Sequence, residues 1–557
     1  MMSSDAEQAE RQQGALSLGE TVLTTALIFS ELWRQVADRD DRRSLRAVSR
    51  CVRDLANGAT ESLEMREPGA SELIAALARC PNITRLDVDM DRDCVPVLGG
   101  AKLPKLRSLS LTYEENDRKP WRVSAPSPSV AAGLQELHLI NPQGNPRTLR
   151  FEAVCSFCRL ESLSVLRCSL SDLKPLGACT QLRRLSLEHC NVAFAVLAQL
   201  QDCAAQLQYL SINSSAQKLQ LKWLQAFSQL KDLNISYHDE HGCGGGGCDD
   251  DDGGLLRLDG IQACGQLEGL SMRGRQAVAC LAPLAACVKL EVIDMASCRR
   301  VSSLAPLSAS SALKDLNLYQ CDDLSSLSPL SACTQLERLN VALCCSLSSL
   351  QPLSACTNLK DIDMTGQCGS NLALLSAWRQ LERLNISCCS AVGSLEPLSA
   401  CDQLKVLVIG RCDVTCLAPL SSCSQLKDLD LHLCSSVTGL APLSTCGQLE
   451  CVNINFCKSL RSIAPLAACS QLKRVSMGGC PKVTIQPLQA CAQLKELSIE
   501  IDRNREEGPA LKAVLPRLRI LSEGYFALDL HMWDQYPPAP PPPVRGLAQN
   551  EHQEEQQ

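Results

Sequence analysis

From residue 281 to 499 the apolar positions recur every 22 or 23 residues. Each unit follows L-x-P-L-S-x-C-x-Q-L-x-x-L-x-L-x-x-C, and its L-x-P-L element starts at Leu281, Leu304, Leu327, Leu350, Leu395, Leu417, Leu440, Ile463 and Ile485. A degenerate copy starts at Leu372. Such a period predicts stacked coils, each burying its apolar edge only against its neighbours. Function is then to be sought on an extended surface rather than in one pocket.

Within one unit, Leu429 and Leu431 are predicted to point inward from a short strand that Leu426 approaches. Cys434 closes the turn, and Val437, Leu440 and Leu443 fill the core on the way back. Pro442 is tolerated because that return segment need not donate to a sheet ladder. It has room for a 3₁₀ turn or a very short helix. The motif L-x-x-L-x-L-x-x-C resembles the signature of leucine-rich repeats, with Cys in the Asn/Cys slot. The resemblance covers roughly four-fifths of the chain. It implies an α/β solenoid, curved, with short parallel strands on the concave face and short helical or 3₁₀ turns on the convex face.

Looser copies start upstream at Ile83, Leu106, Leu134, Leu160, Leu182, Leu207 and Leu230, with spacing between 22 and 28 residues. After Leu230 the next clear unit starts at Leu267, and the excess holds Gly242 to Gly254, a Gly/Asp-rich insertion that reads as a solvent loop. Leu494 and Leu518 begin the last units, with Tyr525, Phe526 and Trp533 expected to pack over the open end. The expected organisation is a disordered 1–15, a helical cap 16–66, degenerate repeats 67–241 and the loop 242–254. Regular repeats at 255–504, a C-terminal repeat and cap at 505–536 and a disordered Pro/Gln-rich tail at 537–557 complete it. About nineteen repeats are counted.

The chain has 557 residues and a formal charge of −7, which offers nothing to nucleic acid. Met1 to Gly14 is polar and acidic, unlike a signal peptide. The apolar stretch Leu16 to Trp33 carries Glu20 and Glu31 and is too polar to span a bilayer. A cytoplasmic protein is expected, with nucleus, ciliary axoneme or cytoskeleton as alternatives. The 34 cysteines fall largely in two columns of the repeat. One is Cys264, Cys287, Cys333, Cys356, Cys401, Cys423, Cys446, Cys469 and Cys491. The other is Cys298, Cys321, Cys344, Cys388, Cys412, Cys434, Cys457 and Cys480. Side chains stacked in one direction do not readily give a disulfide dihedral, so both columns are expected to be buried thiols.

Beside the strand leucines, Lys314-Asp315, Glu337-Arg338, Lys360-Asp361 and Glu382-Arg383 alternate in sign from coil to coil. Ion pairs between adjacent strands are the expectation there. Between the strand leucines stand Asp294, Asn317, Asn340, Asp363, Asn385, Asp430 and Asn453, interrupted by Val408. Two residues on come mostly small side chains, with Tyr319 and His432 among them. This polar strip on the concave face is the candidate for binding a protein or peptide, the alternative being that its amides and carboxylates bond to one another along the ladder. Aromatics are scarce, so Tyr319, His432 and Phe456 are the anchors to test first.

Outside the repeats, Ile28, Leu32 and Val36, then Leu45, Val48, Val52 and Leu55, fall at helical spacing on two amphipathic helices. Glu31-Leu32 and Leu45-Arg46-Ala47-Val48-Ser49-Arg50 resemble the F-box, although Phe29 replaces the usual Pro and no Leu-Trp pair follows. That resemblance implies that Ile28, Phe29, Leu32, Val36, Leu45 and Val48 bury against the Skp-type linker of an SCF-type cullin-RING ubiquitin ligase while the repeats hold a substrate. A plain helical cap over the first repeat is the alternative. The short period and L-x-P-L element look more like the repeats of phosphatase-regulatory and axonemal proteins and bacterial internalins, which makes a stand-alone scaffold the second reading.

No phosphate loop or His-Glu-x-x-His helix is present, and no enzyme activity or cofactor is expected. His238 to Cys243, Cys248 and Asp249 to Asp252 offer metal-ligand types, but Cys-x4-Cys filled with glycines is no zinc framework. The tail Pro537 to Pro543 suits polyproline II and an SH3, WW or profilin-type groove. The expected product is a monomer within a complex, binding proteins and neither nucleic acid nor membrane.

Overall fold

A computed structural model describes residues 62–522 apart from 67–69, 81, 91–102, 114–120, 123–127, 143–146, 151–153, 214–220, 238–256, 368–371, 390–391 and 500–506. The F-box-like segment, the Gly/Asp loop with its metal-ligand types, the aromatic residues 525, 526 and 533 and the Pro-rich tail lie outside the described residues. The chain divides into two compact units, one ending at Gln206 and the other beginning at Leu207.

In the second unit the buried positions advance mostly by three. Cys434, Val437, Leu440, Leu443, Cys446, Leu449 and Val452 are each 2% exposed or less, and only the step from Val452 to Ile454 is two. Three is the period of 3₁₀ geometry and two that of a strand. The backbone follows suit: the N–H groups of Val437, Leu443, Cys446 and Leu449 each donate to the carbonyl three residues back. Most of these coils form one five-residue 3₁₀ helix, as at Ala441–Thr445. Its proline sits within the first two helical positions, where no intrahelical donor is lost. The expectation of 3₁₀ turns on the return segment is therefore met.

The two-residue step lies in the strands. Fourteen of them, from Tyr209–Asn213 and Asp232–Asn234 to Glu496–Ile499 and Arg519–Ser522, follow each other in one parallel ladder. Most are only three residues long, with the middle residue buried and its two neighbours on the outer face, as in Asp315–Asn317. Coil-to-coil bonding extends past the strand, since Leu431 and Leu433 donate to Asn453 and Asn455.

The first unit is likewise built on parallel strands, with longer coils. Its strands are Ser62–Met65, Arg85–Met90, Ser108–Tyr113, Glu136–Ile140, Ser162–Leu166 and Arg184–Glu188, all parallel. Five begin just after the leucine or isoleucine starts read from the sequence. The strand Ser62–Met65 corrects the expected helical cap at its C-terminal end, because Leu63 is buried and pairs with Leu86. The longer coils hold a helix at Ala70–Arg79 and a second parallel sheet of Trp121–Arg122, Arg147–Arg150, Cys168–Leu170 and Asn191–Val192, which the repeat pattern did not announce.

Candidate functional site

The outer face of the second unit's ladder carries the polar strip. Asp294, Asn317, Asn340, Asp363, Asn385, Val408, Asp430 and Asn453 pair in register as the last residues of successive strands. Their side chains chiefly serve their own turns. The Oδ1 atoms of Asp294, Asn317, Asn340, Asp363, Asn385, Asp430 and Asn453 accept from the backbone N–H two residues on, at 2.8–3.1 Å. Each is an Asx turn, in which a short side chain imitates a backbone turn. Bonding along the ladder is secondary: Asn453 Nδ2 donates to Asp430 Oδ2 at 3.0 Å. Burial raises the carboxyls of Asp294 and Asp363 above the ordinary range, against the lowering effect of the N–H groups they accept.

One residue after each Asx turn the backbone turns left-handed. Ser297, Gln320, Leu343, Cys388, Arg411, Leu433 and Phe456 have φ between 55° and 61°, and Gly366 and Gly479 hold the same position. This column was not legible in the repeat motif, because its residue types vary freely.

The next residue is the inner cysteine. The thiols of Cys298, Cys321, Cys344, Cys412, Cys434, Cys457 and Cys480 donate to a carbonyl of the preceding coil at 3.0–3.4 Å. In the coil beginning at Arg383 this place belongs to Cys389, which bonds to the Met364 carbonyl at 3.4 Å. That corrects the column read from the sequence: Cys388 stands one residue earlier, in the left-handed position. Coils lacking the cysteine fill the slot with another donor. Gln367 Nε2 reaches the Val341 carbonyl at 2.9 Å, and Arg275 Nε reaches that of Ile235 at 2.6 Å. The outer column behaves alike, with Cys446 and Cys469 donating to Leu420 and Leu443, and Trp378 Nε1 to Leu353. Burial pushes the thiols of Cys298, Cys434 and Cys469 up to about 12.

Repeating strands, 3₁₀ returns and donor columns decide the architecture. The fold is a leucine-rich-repeat solenoid. No family model matches the chain, and no curated protein matches it. Solved structures do. An internalin of Listeria monocytogenes shares 16% identity over 60% of this chain and 86% of its own, with a TM-score of 0.44. A leucine-rich-repeat protein of Leptospira interrogans shares 13% over 84% of this chain and 97% of its own, at 0.47. The functional domain of InlJ from Listeria monocytogenes, described as including a cysteine ladder, shares 15% over 63% and 65%, at 0.40.

The solenoid's charge pattern is paired as expected. Lys314–Glu291, Lys360–Glu337, Lys405–Glu382 and Lys473–Glu450 bridge adjacent coils at 2.6–2.9 Å. Nearer the strip and more buried, Arg338 binds Asp315 at 2.7 Å, and Arg383 binds Asp361 through Nε at 2.9 Å and through Nη2. Val292 and Val406 flank this Asp/Arg series on the strand face.

Of the anchors named from sequence, Tyr319 and His432 lie on the strand face, two residues beyond Asn317 and Asp430. The His432 ring covers Gly410, where an added Cβ would come within 2.0 Å of it, and Nδ1 lies 2.8 Å from Asp430 Oδ1. Phe456 is set apart from the strip, in the left-handed column at its edge. No helix among the described residues is long and apolar enough to cross a membrane.

Proposed function

We propose that the chain is a non-catalytic protein-binding scaffold whose partner lies on the strand face of residues 207–522. The observation that carries this reading is the pre-ordering of that face: its Asn, Asp, Arg and Lys side chains are already held by turns and ion pairs. Binding there forfeits little rotamer freedom, which is a main cost of association. The same bonds mean that the Asn/Asp strip is engaged mainly in structure. Partner contacts fall to the side chains that break the series, Tyr319, His432, Val292 and Val406.

The test is capture of partners from a cell extract by the full chain, followed by affinity measurement with Tyr319→Ala and Val406→Arg. Loss of about tenfold or more in either variant, with unchanged melting, supports the reading. Full binding by both would move recognition off the strand face.

The finer assignment, substrate recognition for an SCF-type ubiquitin ligase, rests on the F-box resemblance of residues 28–55. Binding of the full chain to a purified Skp-type linker, abolished by Leu32→Asp and by Val48→Asp, supports it. A folded chain that does not bind the linker is a stand-alone scaffold. The hydrogen-bonded thiol columns favour a reducing compartment such as the cytoplasm.

A further inference from the structure

We propose that the turn edge of residues 411–482 docks an acidic peptide segment of the partner that carries apolar side chains. The proposal rests on the scaffold reading and places part of the partner beside the strand face.

Arg411, Leu433, Phe456 and Gly479 form one column in successive coils. The N–H groups of the first three donate to His432, Asn455 and Gly478 of the coil that follows, at 2.7–2.8 Å. Leu433 and Phe456 both have φ 59°. A left-handed backbone is strained for an L-residue, and Gly or Asn would fill the position at less cost. Here two large apolar side chains stand half-buried instead. The Phe456 ring extends over Gly479, where an added Cβ would lie 2.4 Å from its Cδ1. The next coil therefore has a bare backbone under the ring, and this half-buried aromatic stands in a chain that is only 3% aromatic.

Charge separates this stretch of the edge from the rest. The turn residues 411–415, 433–438, 456–461 and 479–484 carry Arg411, Lys458, Arg461 and Lys482 against Asp413 alone. Earlier on the same edge, Arg299 and Arg300 are matched by Asp322 and Asp323, with Arg299 to Asp322 at 3.5 Å. Arg411, Lys458, Arg461 and Lys482 are all exposed. An apolar ledge framed by surplus cations is complementary to a peptide in which Leu, Phe or Trp alternates with Asp or Glu. Coils stack about 5 Å apart, so the column from residue 411 to 479 spans roughly 15 Å, the reach of about four or five extended residues.

The experiment measures anisotropy of three fluorescein-labelled twelve-residue peptides with the full chain. One alternates Glu with Leu and Trp, the second replaces Glu with Ser, and the third replaces Glu with Lys. The acidic peptide should bind at least tenfold more tightly than the other two. Its binding should weaken with added salt, and fall about tenfold in Phe456→Ala and in Lys458→Glu with Lys482→Glu. Equal binding of all peptides, or unchanged binding by these variants, overturns the proposal. So does competition by a single-stranded oligonucleotide or a phosphatidylserine vesicle that removes the acidic peptide without needing Leu433 or Phe456. Tyr319→Ala and Val406→Arg separate the two readings. A captured partner that loses affinity in those variants but not in the edge variants leaves the scaffold standing and removes the edge. A partner indifferent to both sets removes both.

Discussion

Replacing Gln367 by leucine takes two hydrogen bonds out of the solenoid core. The residue is 5% exposed, and its Nε2 donates to the carbonyls of Val341 at 2.9 Å and Cys344 at 3.2 Å in the preceding coil. Neither carbonyl is orphaned by the change, because Val341 also accepts from the Cys344 N–H at 3.4 Å and Cys344 from the Leu347 N–H at 3.2 Å. The loss is then the net value of two bonds, about 1 kcal/mol each, so about 2 kcal/mol in all. In a solenoid such a loss stays at one interface. Local opening between the coils of residues 338–360 and 361–381 should become about thirtyfold more frequent. Hydrogen exchange reads this at the amides of Val341 and Leu343, which donate to Asp363 and Thr365 across that interface. Gln367→Cys, which restores the donor used by neighbouring coils, should recover part of the protection. If Gln367→Leu leaves both exchange and the urea midpoint within error, the donor column is not holding the coils together and the argument fails.

Asp363 gives a pH test. Burial raises its carboxyl above the ordinary value, although Thr365 donates to Oδ1 through both N–H and Oγ1. A raised folded-state value means its contribution is fully present below the unfolded value and is lost as pH rises through the folded one. Asp363→Asn keeps the acceptor without the charge, so it should stabilise the protein at pH 7.5 and lose that advantage near pH 4; a pH-independent difference would show that burial of the charge is not the cause. Alkylation with iodoacetamide at pH 8 should modify the exposed Cys158, Cys280, Cys345 and Cys416. It should spare Cys434 until unfolding, because a thiol near 12 is only about 10⁻⁴ ionised there; rapid labelling of Cys434 in the native state would contradict its place in the column. Gly410→Ala puts a methyl into the His432 ring and should cost about 1–3 kcal/mol while moving the ring off Asp430; unchanged melting and an unchanged His432 NMR signal would refute that packing.

Much of this was legible in the chain itself. The leucines at 429, 431, 440 and 443 and the cysteines at 434 and 446 carry the fold because coil stacking demands one apolar residue type at each depth. The parts that were not legible have physical causes. Cys388 and Cys389 are adjacent, and only the backbone turn at Cys388 decides which thiol faces inward. Ser62–Met65 is a short, charged strand whose single buried Leu63 gives no period to read. The Asn/Asp strip looked like a binding surface because the same Oδ1 that could meet a partner instead closes a turn.

The turn-closing role of that strip locates recognition more sharply. A residue that recurs in every coil is constrained by the coil, whether as core, donor or turn closer, and can carry little information about a partner. Tyr319, Arg411 and Phe456 recur at their positions in no other described coil of the second unit, while Val406 and Leu433 recur once each, at Val292 and Leu343. In a repeating architecture, the departures from the repeat are where selection for a partner has room to act, and both proposals rest on those positions.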